Sequence, residues 1–150
     1  MKKLLLSLLL SVTCLLAVAQ DTENAIKNVL NAETKAFFDR DAKKMVSYWH
    51  ITPQTSMYII LSPKFVINDN ADSLKNYSLT GEPTKMDLNQ IGSTRTNWNF
   101  CINGTNAYVT FDANLGNAQE KQYTHETRFM EKIDGEWKIV SSNVVFIDNK

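Results

Sequence analysis

The segment from His125 to Phe146 places two runs of β-branched and aromatic residues on either side of Asp134-Gly135. An Asp-Gly pair tolerates the positive φ angles of a tight hairpin turn, and the twist of that turn matches the strands it joins. Each run is about ten residues long, enough to cross a curved sheet rather than decorate its edge. Strands of that length need several partners and something to cover one face. The other end of the chain offers the cover.

Asp21 or Thr22 can cap a first helix running to about Phe38, with Ile26, Val29, Leu30 and Phe37 at helical spacing. Glu33 falls in the same stripe. An unpaired buried carboxylate is costly, so Glu33 is either tilted to the rim or buried with a partner, and the rim or a salt bridge is the favoured expectation. Phe38-Asp-Arg-Asp41 interrupts the helix, and Asp41 can cap a second one from Ala42 to about Trp49. Pro53 prevents continuation and leaves His50 near the helix C-terminus. Thr55 to Leu61 reads as a strand, and Asp69-Asn-Ala-Asp72 opens a short third helix, Ser73 to Leu79, ended near Gly81-Glu-Pro83. Arg95 to Ile102 alternates as a strand, with Trp98, Phe100 and Ile102 on one side. Asn103-Gly104 turns it back into Asn106 to Leu115. Helices first and long antiparallel strands after them predict an α+β domain: a strongly curved, mostly antiparallel sheet with the N-terminal helices on its concave face.

The first nineteen residues read differently. Lys2-Lys3 precedes an apolar run from Leu4 to Leu16, and Ala17-Val-Ala19 fits a small-x-small cleavage site. The run is short for a transmembrane helix. Residues 1–19 are therefore expected to be a signal peptide, residues 20–150 a single domain, and the protein exported to a bacterial periplasm or beyond, with no membrane attachment after cleavage. A lipid on Cys14 is the alternative, although Ser11-Val-Thr13 lacks the small residue that such a signal wants before its cysteine. The whole chain has 16 basic and 16 acidic residues, and the leader removes two lysines, for a mature net charge of −2. No basic run could neutralise a row of phosphates, which argues against nucleic acid as a partner. Cys101 remains as the one cysteine of the mature chain and is expected as a packed thiol. There is no His-x-His, no His-x-x-x-His and no cysteine cluster, so neither a metal nor another cofactor is expected.

Two segments carry a family resemblance. Phe37-Phe-Asp-Arg-Asp-Ala-Lys-Lys-Met-Val-Ser-Tyr-Trp49 resembles the helix-break-helix of the nuclear transport factor 2-like superfamily, and Arg128-Phe-Met-Glu-Lys-Ile-Asp-Gly-Glu-Trp-Lys-Ile139 resembles its closing hairpin. That superfamily includes ketosteroid isomerases, SnoaL-like polyketide cyclases and kinase association domains. The resemblance spans Ala25 to Ile147 and is nearest in style to secreted bacterial members. It implies a cone-shaped fold with a pocket between sheet and helices, and it specifies fold far better than activity. Mapped onto this chain, the implied pocket residues are Trp49, His50, Tyr58, Trp98, Glu126, Arg128, Ser141 and Asn143. Glu126 and Arg128 are two apart and share a strand face. Ser141 and Asn143 stand four and six residues after Trp137, where many relatives carry histidines; neither can act as a general base.

The leading expectation is a secreted small-molecule-binding or accessory protein for a small polar or aromatic ligand. An enzyme of the cyclase, isomerase or dehydratase type, using His50 with Tyr58 or Glu126, is the first alternative. A steroid-isomerase mechanism needs a carboxylate base and an oxyanion hole. Tyr58 offers a phenol, but no Asp is placed to be the base. A two-histidine site would require His50 and His125 to converge. A glycosidase would need two carboxylates across one cleft, for which Glu33 and Glu126 are the nominal pair. The third expectation is an interaction module, a homodimer formed through the outer sheet face. It is motivated by apolar residues of both parities around Phe100, Ile102, Val144 and Phe146.

Overall fold

The computed structural model describes the backbone of residues 2–61, 64–68, 92–116 and 121–147, and the side chains of residues 19–60, 93–116 and 121–147. Among the described residues, two helices, α1 (Lys2–Phe38) and α2 (Ala42–Ser47), precede six strands. These are β1 (Ser56–Leu61), β2 (Lys64–Asn68), β3 (Gly92–Asn103), β4 (Asn106–Gly116), β5 (Lys121–Ile133) and β6 (Glu136–Ile147). They form one sheet in the order β2-β1-β6-β5-β4-β3. Every pairing is antiparallel except β1 with β6. The fold is α+β, as its alternating strands and leading helices require. The expected third helix over Ser73–Leu79 lies outside the described residues.

The helix break is built by local chemistry. Arg40 takes a left-handed φ of 57°. Its N–H donates to the Phe37 carbonyl, and the Asp41 N–H donates to that of Ala36. This pairing closes the open carbonyls at the end of α1. Asp41 then begins the next helix, its carboxylate accepting from the Lys44 N–H at 2.9 Å. One residue ends α1 and caps α2. The helix α1 does not start at Asp21 but runs unbroken from Lys2. Its buried stripe is Ile26, Leu30, Glu33 and Ala36, while Phe37 is exposed. The four-three-three spacing turns Ala36 inward in place of Phe37.

Past α2, the chain is pinned to β6. The Ile139 N–H donates to the Tyr48 carbonyl and the His50 N–H to the Ile139 carbonyl, both at 2.9 Å. Trp49 thereby lies against the sheet and joins a core of Ile26, Leu30, Met45, Val109, Phe111, Met130, Trp137 and Ile139. The tight turns fall at Asn103–Asn106 and Ile133–Glu136, with Gly104 and Gly135 at positive φ.

Two irregularities decide which residues face the helices. In β6, Met130 pairs with Ile139 but Phe129 pairs with Ser141, so Val140 is an extra residue. In β3, Asn99 pairs with Thr110 but Thr96 with Asp112, leaving Asn97 and Trp98 opposite Phe111. Asn97 adopts φ 54° there, and its amide donates to Asp112 at 2.7 Å. Each bulge reverses the side on which every later residue of its strand falls, and bends the sheet.

Removing the shared cap tests this local account. Asp41→Ala is expected to destabilise the domain by about 1 kcal/mol, measured by urea unfolding, with an unchanged m-value. No loss of stability would contradict it.

Candidate functional site

The concave face carries a cluster of buried charge. Arg128 on β5 is 6% exposed and Glu126 is 3% exposed. They lie side by side, Arg128 Nη2 donating to Glu126 Oε2. Thr124 Oγ1 donates to the other carboxylate oxygen at 2.8 Å, so strand parity puts three polar groups in a row. From β3, Arg95 reaches Asn31 and Thr34 on α1. From α1, Glu33 accepts from the Trp49 indole N–H at 3.2 Å and from the Thr34 hydroxyl. Both cations sit over the Phe111 ring, the Arg95 and Arg128 guanidinium carbons 5.0 and 5.5 Å from its centre. Trp98 packs against Phe111 and stacks on Phe100, and Lys27 sits over both Trp98 and Phe100. Cations over aromatic faces gain electrostatic attraction that grows as water is excluded.

Burial raises the Glu33 carboxyl above its usual 4.5, against the opposing influence of Arg128, the Trp49 hydrogen bond, Arg95 and Thr34. Burial likewise lowers the Arg95 guanidinium. Glu33 is thus not at the rim or in a salt bridge, the favoured expectation, but buried with a partner, the Trp49 indole. It is a buried acid, and its burial works against the charged form.

The eight residues implied by the resemblance divide between two faces. Glu126, Arg128 and Trp98 contribute to the concave side. Trp49 is buried in the core beneath them, its N–H occupied by Glu33. Ser141 and Asn143 do not join this group. A regular hairpin from the Ile133–Glu136 pair would set Ser141 opposite Arg128 and Asn143 opposite Glu126. The extra Val140 instead sets them opposite Phe129 and Thr127 on the convex face, and brings Ser142 opposite Arg128. Tyr58 pairs with Asn143 and is convex as well. The Ser141 hydroxyl meets that of Ser56 at 3.0 Å. The second bulge has the converse effect. In unshifted register Arg95 would be convex, but it pairs with Ala113 and turns inward. Sequence spacing alone missed Arg95 and Ser142 for this reason, whereas Phe111, on the unbulged β4, falls with Ala107 and Val109 on the core face as its spacing indicates.

The histidines do not converge. His50 meets Glu131 at 3.1 Å and His125 meets Asp112 at 2.7 Å. Glu131 and His125 are six residues apart on β5, about 20 Å at a strand's rise. His50 is therefore brought neither to Glu126 nor to Tyr58. Donation from His125, then from Asn97, holds the Asp112 carboxyl below its ordinary value. Cys101 is exposed on the convex face rather than packed, because it pairs with Tyr108 there. Among the described residues, no three His, Cys, Asp or Glu side chains gather closely enough to hold a metal ion. A half-open cleft of about 470 Å³ lies elsewhere, lined by Val29, Tyr48, Trp137 and Lys138 among others.

The buried acid gives a signed pH prediction. Because folding raises the Glu33 value, the folded protein loses stability as pH rises above the unfolded value. Glu33→Gln keeps an acceptor for Trp49 and removes that loss. Thermal unfolding should therefore show the variant and the parent alike near pH 4, and the variant more stable at neutral pH. A parent that gains on the variant as pH rises would contradict the assignment.

No protein-family model matches this chain, and no curated protein does. Solved structures do. An NTF-2 like protein of unknown function from Shewanella oneidensis aligns with 82% of this chain and 98% of its own, at TM-score 0.64 and 16% identity. An NTF2-like protein with a cystatin-like fold from Novosphingobium aromaticivorans aligns over 93% and 90%, at TM-score 0.67 and 10% identity. A cystatin-like-fold protein of unknown function from Nostoc punctiforme aligns over 85% and 92%, at TM-score 0.66 and 10% identity. Identities this low speak for the fold alone. The curved, mostly antiparallel sheet closed over by leading helices is the nuclear transport factor 2-like fold, and this chain has it.

Proposed function

We propose that this is an exported small-molecule-binding protein whose ligand site is the concave face around Arg128. The observation that carries the reading is the group Arg128, Glu126, Ser142 and Glu33, all buried on or over that face beside Phe111 and Trp98. Convergent polar groups among aromatic rings are the usual make-up of a ligand site. An apolar lining would serve a purely structural core at lower cost, since replacing a buried ion pair with hydrophobic residues is often neutral or stabilising. The carboxylates of the cluster are engaged by Arg128, Thr124, Thr34 and the Trp49 indole, and binding rather than turnover is the function proposed. Export follows from the Lys2-Lys3 and Ala17-Val-Ala19 pattern.

The partner proposed for the convex face is a second copy of the chain. The apolar residues behind this are not those that spacing suggested. Phe100 and Ile102 pair with Val109 and Ala107 on the core side, and Val144 pairs with Glu126. Tyr108, Phe129, Ile60 and Ile147 are instead exposed, at 50%, 37%, 37% and 49%. By register they share the convex face, with Tyr108 directly opposite Phe129. A self-complementary face of this kind suits a two-fold contact.

Native mass spectrometry of the protein recovered from outside the cytoplasm tests these statements together. The expected species is a dimer of chains beginning at Gln20 that releases a small organic molecule on denaturation. A monomer would remove the convex-face partner, and a chain retaining residues 1–19 or a lipid at Cys14 would remove the processing scheme. Absence of any adduct, with no binding from a panel of small aromatic compounds, would remove the ligand site.

A further inference from the structure

Resting on the reading of the concave face as a ligand site, we propose that its ligand is a small aromatic carboxylate. The acid group would be held by Arg128 Nε, Ser142 Oγ and Arg95 Nε, and the ring by Trp98. Four buried side-chain polar atoms among the described residues have no hydrogen-bond partner: Ser93 Oγ, Arg95 Nε, Arg128 Nε and Ser142 Oγ. All four belong to the concave face. Ser142 stands directly across from Arg128, Arg95 pairs with Ala113, and Ser93 lies two residues from Arg95 on the same side. A buried polar group left unpaired costs about 1–3 kcal/mol, and four on one face form a pattern rather than scattered defects. Arg128 and Ser142 are themselves almost wholly buried, at 6% and 1% exposure, whereas Arg95 and Trp98 are half-buried and give the side open to entry.

The chemistry of those atoms selects the ligand. Both arginine Nε–H groups can only donate, and a serine hydroxyl can donate. The ligand must therefore supply several acceptor lone pairs in a small space, as a carboxylate does. The charges agree. Glu126 is paired with Arg128, whereas Arg95 is held by the neutral side chains of Asn31 and Thr34 and makes no ion pair with a carboxylate among the described residues. An anion suits such a cation, whereas a neutral amide of the same shape lacks the charge and also brings N–H donors to a site already rich in donors. The half-buried Trp98 ring, backed by Phe111 at 4.5 Å between centres, provides the apolar surface that an aromatic ring would cover.

Calorimetric titration with benzoate, benzamide and inorganic phosphate separates the outcomes. Saturable benzoate binding is expected, with benzamide at least tenfold weaker. Ser142→Ala should weaken benzoate about fivefold, the equivalent of one hydrogen bond, and leave the circular dichroism spectrum unchanged. Thr127→Ala, on the convex face, should leave benzoate affinity as it was. Arg128→Lys keeps the charge but loses the Nε–H, and should weaken benzoate further. Should that variant fail to fold, Ser142→Ala still decides. Benzamide binding as well as benzoate would overturn the carboxylate assignment while the small-molecule reading survives. Phosphate binding as tightly as benzoate would overturn the aromatic part, and benzoate binding indifferent to Ser142→Ala would place the anion elsewhere. If none of the three probes binds, the carboxylate assignment falls. The wider ligand reading then falls only if the aromatic panel and native mass measurement also fail.

Discussion

Arg128 is desolvated on the concave face, and much of the architecture around it compensates for that. A buried guanidinium needs an opposite charge, hydrogen-bond acceptors and a polarisable surface. Glu126, two residues back on the same strand, supplies the charge, and Thr124 fixes the far oxygen of that carboxylate. Phe111 on the neighbouring strand supplies the surface. Arg128 Nη1 reaches the Thr127 carbonyl, so the backbone takes part too. Removing a single partner from such a pair typically costs about 3–5 kcal/mol, which gives the group a firm hold on strand register.

The cluster also ties the helices to the sheet. Glu33 on α1 binds the Trp49 indole, and Trp49 is fixed to β6 through the hydrogen bonds of Tyr48 and His50 to Ile139. Arg95 crosses from β3 to Asn31 and Thr34 on the same helix. The polar groups of the concave face thus set the rotation of α1 as much as its apolar stripe does. Ala36 rather than Phe37 faces inward as a result, and the bulky ring goes to the surface.

What could be read from sequence was what short-range chemistry determines. Asp134-Gly135 and Asn103-Gly104 marked both hairpins, Asp41 marked the helix start, and two-residue spacing put Glu126 and Arg128 on one face. Two single-residue insertions defeated the rest. Val140 carries no composition signal that distinguishes it from its neighbours in Ile139-Val-Ser141, yet it moves Ser141 and Asn143 to the convex face and Ser142 to the concave one. Asn97 was a weak hint, since asparagine tolerates positive φ, but the inward turn of Arg95 follows only from the pairing with β4. The strand β2 was missed because it returns after only two residues beyond β1. His50 is positioned by a contact to Ile139, far along the chain, and no local pattern announces its pairing with Glu131.

The central claim is that the concave polar groups form a site completed by an anionic ligand rather than a self-contained structural network. A crystal structure of the protein grown with benzoate tests it most directly. The account predicts carboxylate oxygens within about 2.7–3.2 Å of Arg128 Nε and Ser142 Oγ, with the ring against Trp98. Benzoate bound only on the convex face, or Arg128 Nε and Ser142 Oγ closed off by protein groups with no room for a ligand, would contradict it.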